Sequence, residues 1–93
     1  MKITISDTAW GVNRMNGERY ERIVDTQCFD LALGVLPPIG PAGKRFEVTE
    51  LTEDSLTLIL NPRGKSATVK RGEVYVYRPL SMDGGHYYTI LFE

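Results

Sequence analysis

Apolar and polar residues alternate along most of the chain, and a period of two dominates over the 3.6 of a helix. Residues 46–92 resolve into five short strands, Phe46–Leu51, Ser55–Leu60, Ser66–Lys70, Glu73–Arg78 and His86–Phe92, each bounded by turn residues. Pairing neighbours in order predicts a C-terminal five-stranded antiparallel meander. A two-residue turn at Glu53-Asp54 sets Leu51 opposite Leu56 and Thr49 opposite Leu58. A turn at Arg71-Gly72 sets Val69 opposite Val74 and Ala67 opposite Val76. Asp83-Gly84, a strong hairpin pair, sets Val76 opposite Leu91 and Leu80 opposite Tyr87. At Asn61-Pro62-Arg63-Gly64, turn chemistry favours a three-residue loop with Leu56 facing Lys70. Side-chain matching favours four residues, with Leu56 facing Val69 and Leu58 facing Ala67, and sets the expected register.

That register gives the meander two unlike faces. One is aliphatic: Leu51, Leu56, Leu58, Ala67, Val69, Val74, Val76 and Leu91. The other mixes hydroxyls with rings: Thr57, Ile59, Thr68, Tyr75, Tyr77, Tyr88, Ile90 and Phe92. A sheet that is apolar on both sides must curl or be covered.

The N-terminal half carries a short alternating strand at Lys2–Ser6 and an Asn16-Gly17 hairpin signal between Ala9–Met15 and Glu18–Asp25. This hairpin brings Trp10 opposite Ile23, but it also places Arg14 opposite Arg19. Tyr20, Ile23 and Val24 stand at helical spacing, so one helical turn competes with the strand there. Phe29, Leu31, Leu33 and Val35 read as a further strand. Residues 37–43, Pro-Pro-Ile-Gly-Pro-Ala-Gly, break regular structure and read as an extended loop crossing between sheets. The expected cover for the meander is Trp10, Ile23, Phe29, Leu31 and Leu33. The whole is expected to be all-β, a small barrel or sandwich of seven to nine short strands forming one domain over residues 1–93.

Composition agrees with a small globular chain. Ninety-three residues, 42% hydrophobic and 25% charged, with a net charge of −1, exclude a strongly basic nucleic-acid coat and a disordered acidic tail. No apolar run approaches the ~20 residues of a membrane-spanning helix. With one cysteine and no apolar segment after Met1-Lys2, a cytoplasmic location is expected. Cys28 reads as a small buried hydrophobe rather than a nucleophile, because the single histidine lies far from it in sequence.

Four constellations could carry chemistry. In Ser81-Met82-Asp83-Gly84-Gly85-His86, Asp83 with His86 forms a candidate acid–base or metal pair. Zinc needs three or four ligands, so a Gly-rich turn is the preferred reading. The stretch 61–72 carries Arg63, Lys65, Lys70 and Arg71 beside tyrosine-bearing strands, which suits a nucleic-acid-binding small β-barrel. Glu47, Glu50, Glu53 and Asp54 on adjoining strands answer much of that charge, so nucleic acid is not favoured. The segment Pro37–Pro41 suits a rigid loop more than a polyproline ligand, and Gly40-x-x-Gly43-Lys44 lacks the spacing of a phosphate loop. The fourth is the hydroxyl-and-ring face. It serves as core, as a homodimer interface, or as a pocket for a small ligand or peptide. The expectation is a non-enzymatic binding or interaction module acting through Thr57, Thr68, Tyr75, Tyr77 and Tyr88, with homodimerisation as a mode. The basic hairpin residues Arg63, Lys65 and Arg71 carry the competing nucleic-acid reading. Neither cofactor nor metal is expected.

Overall fold

The computed structural model describes residues 1–61, 64–79 and 84–93, except for the Asn61 side chain. It is all-β, with no helix among the described residues. The strands are β1 (Lys2–Val12), β2 (Arg19–Asp30), β3 (Gly34–Val35), β4 (Arg45–Leu51), β5 (Ser55–Asn61), β6 (Ser66–Lys70), β7 (Val74–Tyr77) and β8 (Gly84–Phe92). They form two four-stranded antiparallel sheets. Sheet I has the order β2-β1-β8-β7 and sheet II the order β3-β4-β5-β6. Their facing sides bury one core. Sheet I contributes Ile3, Ile5, Phe29, Tyr77, Tyr88, Ile90 and Phe92, and sheet II contributes Phe46, Val48, Leu56, Leu58, Leu60, Ala67 and Val69.

Sheet II follows the alternation closely. Leu51 faces Leu56, and β5 meets β6 in the four-residue register, with Leu56 on Val69 and Leu58 on Ala67. Leu58, however, faces Val48 rather than Thr49, because the β4–β5 ladder shifts between Val48 and Glu50. Phe46, Val48 and Leu51 are spaced by two and then three residues. A bulge at Thr49 is what lets all three point inward.

The five-stranded meander is not formed. After β6, Gly72 at φ +81° donates its N–H to the Phe92 carbonyl, and the chain leaves sheet II for the edge of sheet I. β7 therefore pairs with β8, and Val69 and Val74 part company: Val69 is buried, while Val74 is 60% exposed. Within β7–β8 the register is offset by two residues from the expected one. Val74 lies opposite Leu91 and Tyr77 opposite Tyr88, while Gly84 lies inside β8 instead of in a tight turn. Leu80 and Asp83, assigned to that turn, lie outside the described residues. The cause of the crossover is packing. In one meander the aliphatic and ring-bearing faces would lie back to back, and one would stay wet. Changing sheets turns the ring face of β7–β8 toward the aliphatic face of β5–β6, so both are buried at once. Phe46 marks the junction, edge-on to Tyr77 at 5.6 Å and to Tyr88 at 5.2 Å between ring centroids.

The N-terminal half forms two long strands, with no helical turn at Tyr20. The hairpin closes as Asn13 N–H to Glu18 C=O, so Arg19 faces Val12 and the Arg14–Arg19 opposition never arises. Arg19 instead lies over the Trp10 ring, 5.2 Å from its centroid. The same closure puts Ile23 opposite Thr8, not Trp10, and a bulge follows between Ile23 and Asp25. Of the expected cover, Phe29 is core and Leu31 packs against it, whereas Ile23 and Leu33 are 65% and 66% exposed. Ile3, Ile5, Leu36 and Ile39 do most of that work. Cys28 is exposed, because it lies on the solvent side of edge strand β2. The Pro/Gly segment joins β3 to β4 within sheet II, and the crossing between sheets happens earlier, at residues 31–33.

The molecule is elongated, 47 × 25 × 19 Å, with a radius of gyration of 13.8 Å; a compact chain of this length would have about 12.3 Å. Its 6087 Å² of accessible surface exceeds the roughly 5,400 Å² expected for its mass. The β1–β2 hairpin end, with Val12, Met15 and Tyr20 exposed, contributes to this excess.

Gly40 holds the tip of the Pro/Gly loop. It sits at φ +78°, and a Cβ there would collide with Asp7 Oδ2. Gly17 has a similar φ of +73° but open space around it. Gly17→Ala should cost only the left-handed strain of about 1–2 kcal/mol. Gly40→Ala should cost clearly more, as read from urea unfolding midpoints; equal losses would show that the Asp7 contact is not decisive.

Candidate functional site

The residues expected to form one binding face are separated. Tyr77 and Tyr88 are 7% and 2% exposed and belong to the core. Tyr77 also donates its hydroxyl hydrogen to the Lys65 carbonyl at 3.0 Å. Tyr75, at the edge of sheet I, is 37% exposed. Thr57 and Thr68 share a 3.2 Å hydroxyl contact on the opposite, outer side of sheet II. Of the basic residues, Lys65, Lys70 and Arg71 are exposed, and Arg63 lies outside the described residues. Arg71 Nη1 reaches the Glu53 carbonyl at 3.5 Å, and its N–H bonds Asp54 C=O, so this arginine is tied to the β4–β5 turn.

Where sheet I runs beyond the core, a polar cluster forms on its inner side. Asp7 continues the inward phase of Ile3 and Ile5, and His86 continues that of Tyr88, Ile90 and Phe92. The β1–β8 ladder brings the two phases together. His86 Nδ1 lies 2.6 Å from Asp7 Oδ1, with the Asp7 side chain 1% exposed and that of His86 38%. A carboxylate this deeply buried needs such a partner. With the carboxylate accepting, Nδ1 carries the hydrogen of this contact. Asp83, the candidate partner near in sequence, lies outside the described residues; among the described residues the histidine's partner comes from the far end of the chain. Among the described residues, no hydroxyl or thiol bonds the remaining ring nitrogen, and no group of three or more His, Cys, Asp or Glu is placed to hold a metal.

The same cluster pins the Pro/Gly loop. Gly40 N–H donates to Asp25 Oδ2 at 2.9 Å. Gln27 Nε2 donates to Asp25 Oδ2 at 2.8 Å and to the Pro38 carbonyl at 3.3 Å. Ile39 is then held in the core at 1% exposure. The Gly40 amide, followed by Gln27, holds the Asp25 carboxyl below its ordinary value of 3.8. Burial, reinforced by the negative charge of Asp7, pushes the Tyr88 hydroxyl up to about 12.

The outer side of sheet I is different again. Its middle carries Thr4, Ser6 and Thr8 on β1, Ile23, Thr26 and Cys28 on β2, Tyr87, Thr89 and Leu91 on β8, and Val74 and Val76 on β7. None of these is charged. Paired charges stand at the two ends, Lys2 with Asp30 at one and Arg19 with Glu21 at the other, and Arg78 lies over the Tyr87 ring. A shallow depression of about 380 Å³ lies among Ser6, Thr8, Ile23, Tyr87 and Thr89, and the charged Glu21 and Arg22 also line it. Tyr87 forms its wall, donating to Glu21 Oε2 at 3.0 Å with Arg78 stacked 4.4 Å from its ring centroid. Comparison with known proteins returns no match: no family model, no curated protein and no solved structure is similar to this chain.

Two pH effects follow. The Asp25 carboxyl is lowered in the fold, so its contribution is present above the unfolded value and is lost as pH falls below 3.8 toward the folded one. Unfolding midpoints should drop over that acid range, and Asp25→Asn should flatten part of the drop. The Tyr88 hydroxyl is raised, so its contribution is full below pH 10 and declines as pH climbs toward 12. A phenolate titration should show Tyr88 ionising late, an arm that disappears in Tyr88→Phe.

Proposed function

We propose that this protein is a non-enzymatic interaction module that self-associates through sheet I. The supporting observation is the outer side of that sheet, whose uncharged middle exposes Ile23, Val74 and Val76 between charged ends. An apolar centre with a polar rim is the anatomy of a protein interface. The two sheets are read as layers of a sandwich, in which sheet II covers one side of sheet I and nothing among the described residues covers the other. The surplus surface of an elongated monomer, several hundred Å² above the mass-based value, is of the order that one partner loses in a standard interface, about 800 Å². Tyr75, opposite Ile90, lies on the inner side of sheet I at the β7 edge and is not part of the proposed surface. Tyr77 and Tyr88 support it from beneath, and Thr57 and Thr68 lie elsewhere.

The hydroxyl-rich face expected from the alternation thus has a counterpart built from other residues, chiefly Thr4, Ser6, Thr8, Thr26 and Thr89. The nucleic-acid reading gains no specific support from the geometry, since Arg71 is engaged by the neighbouring turn. Native mass spectrometry of the full chain at two concentrations should show dimers whose share grows with concentration. An Ile23→Asp variant, at an exposed position that the outer side and the β2 edge share, should keep its fold and shift the equilibrium toward monomer. A wild-type chain that stays monomeric throughout would end the self-association reading.

A further inference from the structure

Resting on self-association through sheet I, we infer that the contact is edge to edge: β2 pairs antiparallel with β2 of a second copy, joining two four-stranded sheets into one of eight. β2 is a twelve-residue edge strand, and neither proline nor lysine interrupts it. Its free side can be read from its bonded side. Leu31 N–H bonds the Met1 carbonyl, so Phe29, Gln27 and Asp25 in turn aim their backbone groups at β1. Past the bulge, the Asn13–Glu18 bond sets Tyr20 and Arg22 toward β1 in the same way. The residues left with N–H and C=O pointing outward are Arg19, Glu21, Ile23, Thr26, Cys28 and Asp30.

This set is its own complement. A two-fold axis at the bulge places Arg19 opposite Asp30, Glu21 opposite Cys28 and Ile23 opposite Thr26, each pair occurring twice. Because the bulge switches the phase of β2 at its midpoint, every outward residue finds an outward partner, giving about twelve backbone hydrogen bonds at two per pair. Charge selects this register over its neighbours. Sliding two residues one way sets Glu21 against Asp30, two like charges; sliding the other way removes the Arg19–Asp30 opposition altogether. Asp30 is 92% exposed and Arg19 is half-exposed in the single chain, where they pair with Lys2 and Glu21, so reaching across exchanges one exposed ion pair for another. On the inner side, exposed Tyr20 comes beside Phe29 of the other copy. On the outer side, the uncharged middles of the two sheets become one continuous surface.

The test uses the native thiol. In full-length Glu21→Cys, residue 21 of one copy lies opposite Cys28 of the other, whereas the two positions within one chain are about 23 Å apart along the strand. Mild oxidation should give a covalent dimer whose peptide map shows a 21–28 linkage, and the wild type, with Cys28 alone, should give none. A charge swap provides an independent arm. Arg19→Asp should weaken the dimer about tenfold or more, and adding Asp30→Arg should restore it. A wild-type dimer that survives Arg19→Asp and yields no 21–28 linkage, yet dissociates in Val74→Asp/Val76→Asp, overturns the edge register and leaves self-association through the outer face standing. A wild-type monomer overturns both.

Discussion

Phe46 set edge-on against Tyr77 and Tyr88 is the contact on which the rest of the architecture depends. It joins the central part of sheet II to the β7–β8 hairpin of sheet I, and no ladder of hydrogen bonds does so among the described residues. Its formation requires β7 to leave the sheet of its predecessor, which the positive φ of Gly72 and its bond to Phe92 allow. Once β7–β8 belongs to sheet I, β1 and β2 add beside it and Ile3, Ile5 and Phe29 complete the core. Replacing Phe46 by a small residue would leave a void between the sheets, a loss of about 3–5 kcal/mol on the usual scale for buried rings. That is a large share of the stability of a chain this size.

At the far end of the core the chain closes with polar chemistry. The buried Asp7 carboxylate is answered by His86, while Asp25 and Gln27 fasten the Pro/Gly loop by its backbone. The loop in turn drives Ile39 inward. This end is thus stabilised by a few directed interactions that depend on protonation, whereas the middle is stabilised by area. Acid should loosen the loop before it disturbs the Phe46 contact, since the groups concerned sit on β2 and the loop tip.

Among the described residues, the outer side of sheet I and its β2 edge are left to water. A 93-residue chain has little surface to spare from its core, so a long, partly uncovered sheet is an unusual use of it. The outer side carries mostly hydroxyls and aliphatics, while the β2 edge carries charges of both signs, Arg19, Glu21 and Asp30 among them. The interaction reading grows from this imbalance, and the symmetry of β2 about its bulge gives it a specific geometry.

The alternation in sequence was enough to determine an all-β chain, strands β4, β5 and β6 of sheet II, and the β5–β6 register of Leu56 on Val69 and Leu58 on Ala67, but not the bulge that sets Val48 opposite Leu58. It also carried a clue to the polar cluster, since Asp7 and His86 each fall on the inward phase of an apolar strand. Period-two patterning reports which side chains share a face of one strand, and local turns report which neighbours pair. Neither reports which sheet a strand joins. The separation of β6 from β7, the pairing of Asp7 with a histidine 79 residues away, and the exposure of Cys28 all depend on β1 inserting beside β8. Only the tertiary structure decided these, because burying two unlike apolar faces in one core is a condition on the whole chain and not on any segment of it.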